Sequence, residues 1–197
     1  MERIFYTRCG DKGTSRVTKT KIVAKTDPVI GVLGDLDELN SLFGLVRTQK
    51  ISAHSKKVLR FVQEDLFIIQ AQIALLLIGG SQKMKAFPLD KVGRLEQEID
   101  VLEKIVKPKR KFVVAGSNEA SAWFDYCRAV SRRVERSTVK LCKTADNRAS
   151  IFAKASEGRG ISWTILAYLN RLSSLLYALA RREAKRKGVL EEHPRYS

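Results

Sequence analysis

Arg128, Arg132 and Glu135 stand at i, i+4 and i+7 in the stretch CRAVSRRVER, residues 127–136. At about 100° per residue they stack along one side of a helix. Trp123, Cys127, Val130, Val134 and Leu141 fall on the opposite, apolar side. Two guanidiniums and a carboxylate on one face can grip a polyphosphate, with Glu135 orienting an arginine or a metal-bound water. The same spacing also describes a solvated face braced by helical ion pairs.

A second candidate lies near the N-terminus, where residues 6–16 read YTRCGDKGTSR. Glycines let backbone N–H groups approach an anion closely, Thr14 and Ser15 supply hydroxyls, and Arg8, Lys12 and Arg16 supply charge. The stretch is not a P-loop, because its lysine precedes the second glycine and no strand is evident upstream. A flexible basic leader is the alternative. Asp37, in GDLDELN at 34–40, sits beside an apolar stripe. It reads either as a surface acid or as the partner of a buried arginine. The runs KPKRK at 107–111 and RREAKRKG at 181–188 read as solvated surface.

These residues need a frame, and the frame reads as helical almost throughout. Asp27-Pro28 is a start signal, an N-cap followed by proline at the first helical position. Val29, Val32, Leu33, Leu36, Leu39, Phe43 and Val46 then repeat at three and four, predicting a helix over 28–47. Further helices are predicted over 56–78, ending at Gly79-Gly80, over 89–106 before Pro108, over 118–143, and over 162–187 before Gly188. No strand alternation stands out. The fold class is therefore all-α: a five-helix up-and-down bundle over about 27–187, one domain in a chain of 197 residues, with a loosely ordered tail at 189–197. The last helix has two apolar sides. Ile165, Tyr168, Leu169, Leu172, Leu176 and Leu179 form the main stripe; Trp163, Leu166, Asn170 and Tyr177 lie roughly opposite. In a small bundle the second side suits contact with another subunit.

Composition narrows the function. There are 37 Lys and Arg against 21 Asp and Glu, a net charge of +16. That excess points to an anionic partner, such as nucleic acid, a membrane surface or a phosphorylated substrate. The three cysteines are scattered, and His54 and His193 offer no zinc spacing, so no protein metal site is expected. Reduced cysteines and the lack of an apolar leader predict a cytoplasmic protein. The longest apolar run, 73–78, is far shorter than the ~18–20 residues of a membrane span.

Taken in order, YTRCGDKGTS, DELNSLFG, KFVVAGS, CRAVSRRVER and YLNRLS resemble the ATP:cob(I)alamin adenosyltransferases of the trimeric five-helix-bundle type. The resemblance runs from Ile4 to about Arg182. It implies transfer of the 5′-deoxyadenosyl group of ATP to cob(I)alamin, giving adenosylcobalamin and triphosphate. It implies Mg²⁺ with ATP, a homotrimer with sites between subunits, and a possible reductase and cobalamin-dependent mutase as partners. It assigns Thr7, Arg8, Gly10, Lys12, Gly13, Thr14, Ser15 and Lys25 to ATP in one subunit. Arg128, Arg132, Arg133, Glu135, Arg136 and Asn170 meet the same ATP from its neighbour. It pairs Asp37 with Arg128 across the interface and gives Phe112 the role of displacing the lower cobalt ligand. Cob(I)alamin is a strong nucleophile, so the lack of a Ser/His/Asp or Cys/His set fits. The chain departs from the family pattern at Cys9, Ala115-Gly116-Ser117, Trp123, Asp125 and Ser174. The rival reading from charge alone is a helical nucleic-acid-binding protein, which predicts cations grouped along one helix face and steep salt dependence. A third is a bundle that keeps the fold without the activity.

Overall fold

A computed structural model of the chain describes residues 5, 6, 8–19, 21–78, 85–143 and 161–196. Among these, five helices follow a short β ribbon. They are α1 (Pro28–Thr48), α2 (Ala53–Ile78), α3 (Asp90–Val106), α4 (Glu119–Lys143) and α5 (Trp163–Arg186). The predicted Gly79-Gly80 end of α2 lies outside the described residues, as does Thr7.

Local chemistry sets the helix ends. Asp27 accepts from Val29 N at 2.8 Å and Pro28 opens α1. Asn118 accepts from Ser121 N at 2.8 Å before α4, and Ser162 accepts from Ile165 N at 3.3 Å before α5. Each satisfies an N–H that the helix leaves orphaned. Lys107 closes α3 in a left-handed conformation, φ 53°, just before Pro108.

The helices alternate in direction. Glu183 near the end of α5 meets Ser55 at the start of α2, and Asn170 near the start of α5 meets Glu135 late in α4. Against α3, by contrast, Arg171 meets Glu96 and Lys185 meets Ile105, so α3 and α5 run parallel. In space α1 packs on α2 and α4, and α5 packs on α4 and α3. The main stripe of α5, from Ile165 to Leu179, is fully buried at the centre. Each such leucine or isoleucine contributes about 1.5–3 kcal/mol relative to exposure.

By length and composition α2 could cross a membrane, with a mean hydropathy of 1.6 over 18 residues. Its single polar positions interrupt every long apolar run, so run length alone understates it. In the bundle its Val58, Leu59, Val62, Leu66, Ile69 and Ile73 are covered by neighbouring helices. Asp65 on the same helix is buried against Lys91 of α3 and accepts from the Tyr168 hydroxyl at 2.9 Å.

Three expectations are corrected. The N-terminal stretch contains a ribbon, β1 (Thr14–Arg16) antiparallel to β2 (Ile22–Ala24), with Ser15 opposite Val23. Strands of three residues are too short to show alternation. The run 181–188 is not all solvated surface: Arg181, Glu183 and Ala184 are buried, because the core stripe of α5 continues past Ala180 at helical spacing. The tail is tied down through residue 193. Glu192 O accepts from Val114 N at 2.8 Å, and His193 Nδ1 lies 2.8 Å from Phe112 O.

Candidate active site

A cleft of about 730 Å³ opens between the α3–α4 connection and the outer sides of α4 and α5. One wall is apolar, from Ile99, Leu102, Val106, Phe112, Val113, Tyr177 and Ala178. Its rim is cationic, from Lys109, Arg110, Lys111, Arg128 and Arg132. Its volume lies within the ~300–1,000 Å³ of small-molecule sites. A smaller cleft of about 380 Å³ adjoins it through Arg132 and is lined by Glu135, Arg136, Val139, Lys140 and Lys143. The larger cleft suits a broad, mainly apolar ligand; the smaller suits an anion.

The spacing argument for α4 places Arg128, Arg132, Glu135 and Arg136 together along these two clefts. Arg132 is exposed and makes no hydrogen bond or ion pair among the described residues. Arg128 Nε is buried without a hydrogen-bond partner there; the nearest carboxylate oxygen is Asp125 Oδ1 at 3.9 Å. An arginine N–H held out of water without an acceptor is costly, which marks this position for a ligand or a partner chain. Asn170 donates to Glu135 Oε1 at 2.8 Å and fixes that carboxylate. Phe112 stands in the cleft wall with 77% of its surface exposed.

Arg133 is turned elsewhere. It hydrogen-bonds Glu38 of α1, and that bond, with the nearby acids Glu38 and Asp35, pushes its pKa up. Asp37 lies on the exposed side of α1 and has no hydrogen bond or ion pair among the described residues. Within one chain it is therefore not joined to Arg128.

The N-terminal loop is built around its glycines. Gly13 adopts φ 74°, and its carbonyl accepts from Lys25 N at 2.9 Å. A Cβ on Gly10 would fall 3.1 Å from Lys25 Nζ and 3.3 Å from Thr14 O, so the Lys25 ammonium rests against the glycine backbone. The Thr14 hydroxyl donates to Cys9 O at 3.1 Å, and Ser15 is half-buried in β1. Arg8 has φ 62° and its guanidinium lies 5.7 Å from the Tyr6 ring centre. Lys12 is exposed. Gly10, Gly13, Thr14 and Lys25 are thus brought together. Arg8, Lys12 and Lys25 have no hydrogen bond or ion pair to the α4 cluster within one chain.

The family model for cobalamin adenosyltransferase matches residues 5–183. The chain belongs to the cobalamin adenosyltransferase family. A corrinoid adenosyltransferase from Citrobacter freundii is 30% identical, covering 91% of this chain and 94% of its own length. The corrinoid adenosyltransferase PduO of Salmonella typhimurium is 32% identical over 91% of this chain. The chain spans only about half of that relative, 49% of its length. Among solved structures, a variant PduO-type ATP:corrinoid adenosyltransferase from Lactobacillus reuteri, complexed with cobalamin and ATP, superposes with a TM-score of 0.80. It is 27% identical, with 98% of each chain covered.

In this cobalamin adenosyltransferase-family chain the two buried thiols, Cys127 and Cys142, are not candidate nucleophiles. Burial pushes the pKa of Cys127 up to about 12 and that of Cys142 to about 11. Among the described residues no group of three His, Cys, Asp or Glu is placed to hold a metal ion. Sequence reasoning missed the buried Arg181–Asp125 pair at the edge of the large cleft, 2.6 Å apart. An arginine beside the apolar stripe of α5 was the available signal, masked by the basic run around it. It also missed that the run 107–111 supplies cleft rim.

Proposed function

We propose that this chain transfers the 5′-deoxyadenosyl group of ATP to the cobalt of cob(I)alamin, as a cytoplasmic homotrimer with its active sites between subunits. One observation carries the reading. Arg128, whose Nε has no hydrogen-bond acceptor among the described residues, and Arg132 share a cleft with an apolar wall bearing exposed Phe112, and Arg132 continues into a second cleft with Arg136 and Glu135. A corrin is a broad, mostly apolar ring and a triphosphate is a compact polyanion, so the paired clefts match both substrates. The relatives named above, one of them complexed with cobalamin and ATP, support the same assignment.

In the reaction the Co(I) electron pair forms a bond to C5′ of ATP. The C5′–O bond breaks and triphosphate leaves with the electron pair of that broken bond, while the pair from cobalt becomes the Co–C bond, so cobalt ends formally as Co(III). No group on the protein needs to abstract a proton. What the leaving group requires is positive charge where negative charge grows, which Arg132 and Arg136 supply. Glu135 is the one carboxylate lining the smaller cleft, and Asn170 holds it in place. It is the residue suited to a magnesium ion, which would arrive with the phosphates and add charge neutralisation. The loop of Gly10, Gly13, Thr14 and Lys25, with Arg8, Lys12 and Ser15, closes on the phosphates from the neighbouring subunit. Asp37 of that neighbour pairs with Arg128.

Phe112 acts on the cobalt side. Pressed against the lower face of the corrin, it excludes the lower ligand, and Co(II) without that ligand takes up an electron more readily. A reductase supplies the electron, and a cobalamin-dependent mutase is the expected consumer of the product.

The excess positive charge does not favour nucleic acid as the partner. Arg133 is paired with Glu38, Arg171 with Glu96, and Arg181 is buried, while the cations grouped along α4 border an apolar cleft wall that a corrin explains and a nucleic-acid backbone does not. An anaerobic assay with ATP, Mg²⁺ and chemically reduced cobalamin tests the proposal. The expected result is saturable formation of adenosylcobalamin. ATP binding without product would indicate a bundle that has kept the fold alone.

A further inference from the structure

The segment carrying Phe112 is irregular and exposed, yet its backbone is held at three points. His193 Nδ1 meets the Phe112 carbonyl at 2.8 Å. The Val114 N–H donates to Glu192 O at 2.8 Å. The Gly116 N–H, aimed by a left-handed φ of 91°, donates to Asp125 Oδ2 at 3.2 Å. Two of these ties come from the C-terminal segment and the third from α4. One buried side chain joins both sources. Arg181 Nη2 donates to Asp125 Oδ2 at 2.6 Å, and its Nη1 lies 3.2 Å from Glu191 Oε1, an ion pair without hydrogen-bond geometry. Its guanidinium also lies 5.0 Å from the Tyr177 ring centre in the cleft wall. Arg181 is 2% exposed and Asp125 6%. Asp125 further reaches toward Arg128, its Oδ1 lying 3.9 Å from Nε.

A buried ion pair is weak evidence for stability, because desolvating two charges offsets most of their attraction. What such a pair does well is fix one geometry. Here the geometry fixed is that of the segment presenting Phe112. We propose that Arg181 is a positioning residue for Phe112. Through Asp125 on one side and Glu191 on the other, it locks the C-terminal strap and α4 onto the 112–116 segment, so that the exposed ring is held ready against the corrin. The inference rests on the corrin-facing role given to Phe112 above. It also gives Asp125, one of this chain's departures from the family pattern, a partner and a task.

Two substitutions test it. Arg181→Lys keeps the charge but cannot bridge two carboxylates with one planar fork. His193→Ala removes a tie at a position whose side chain is not in the core, so it remains informative if the first variant fails to fold. In ligand-free protein, amide exchange at Val114 should accelerate by about fivefold or more in either variant, since its acceptor belongs to the strap. The rate of adenosylation starting from Co(II)alamin and a reductant should fall about tenfold, while the rate from preformed cob(I)alamin and the KM for ATP stay within about twofold. The absorption signature of Co(II)alamin lacking its lower ligand should weaken in parallel. Unchanged exchange at Val114 overturns the strap. Faster exchange with equal rate losses in both assays, or with none, overturns the positioning role. Wild-type protein that makes no adenosylcobalamin from cob(I)alamin would instead sink the functional reading, and the exchange measurement would still judge the strap.

Discussion

Arg132 has no partner among the described residues of the folded chain and a central part in the proposed reaction. It faces both clefts and pairs with no acid among the described residues. Arg132→Ala should therefore lower kcat/KM for ATP by about tenfold or more, the scale of a lost charge-assisted phosphate contact. The thermal midpoint should hardly move, because no native contact is lost. Normal kinetics in that variant would make Arg132 part of a solvated face. Phe112→Ala should separate two steps instead. ATP binding should survive, the Co(II)-started reaction should slow strongly, and the Co(I)-started reaction should slow much less. Equal defects would remove the ligand-displacing role. The α4 cluster was legible because helical periodicity alone brings i, i+4 and i+7 together. The same periodicity could not show that Arg133 turns to Glu38, or that Asp125 meets Arg181. Those pairs are 95 and 56 residues apart and depend on how α4 packs against α1 and α5.

Elements are held to one another by polar contacts at their ends as well as by the apolar stripes. Glu183 near the end of α5 is the best example. It accepts from Ser52 N at 3.1 Å, from Ser55 Oγ at 2.7 Å and from Arg186 Nε at 2.8 Å. A carboxylate at the start of α2 also suits the positive end of that helix. Burial by itself raises the pKa of Glu183. The hydrogen bonds from Ser55, Arg186 and Ser52 outweigh it and leave the group below its ordinary value. A depressed folded-state pKa means that the ionised group stabilises the protein above the ordinary glutamate range. That contribution is lost as pH falls through the folded-state value. Glu183→Gln should cost about 1–3 kcal/mol at neutral pH. Urea unfolding at fixed protein concentration should show the gap between wild type and variant closing as pH falls below the ordinary glutamate range. A gap that stays constant with pH would mean the contacts do not depend on charge. The helices themselves were readable from caps and stripes. The ribbon of β1 and β2 was not, since three residues per strand carry no usable period and its register depends on pairing across the loop.

At the scale of the whole molecule, the single chain leaves matching vacancies. Among the described residues Arg128 Nε has no acceptor, Asp37 has no donor, and the loop cations do not reach the α4 cluster. Trp163, on the second side of α5, is 71% exposed. A homotrimer in which each loop meets the next subunit's α4 would supply partners for Arg128, Asp37 and the loop cations at once. Sedimentation at micromolar concentration should show one species of three chains, and a stable, active monomer would refute the shared site. The decisive pair is Asp37 and Arg128. If they meet across the interface, each single alanine variant leaves the other charge desolvated and unpaired, which costs more than the pair's net contribution. The double variant removes both charges, so its loss of ATP turnover should be well short of the sum of the two single losses. A coupling of about 1.5 kcal/mol or more would be expected for such a close charged pair, with the trimer fraction measured alongside to separate assembly from catalysis. Additive losses would place the two residues apart. Arg128 would then be left with Asp125 as its nearest carboxylate, and the α4 cluster would have to work without help from the neighbouring α1.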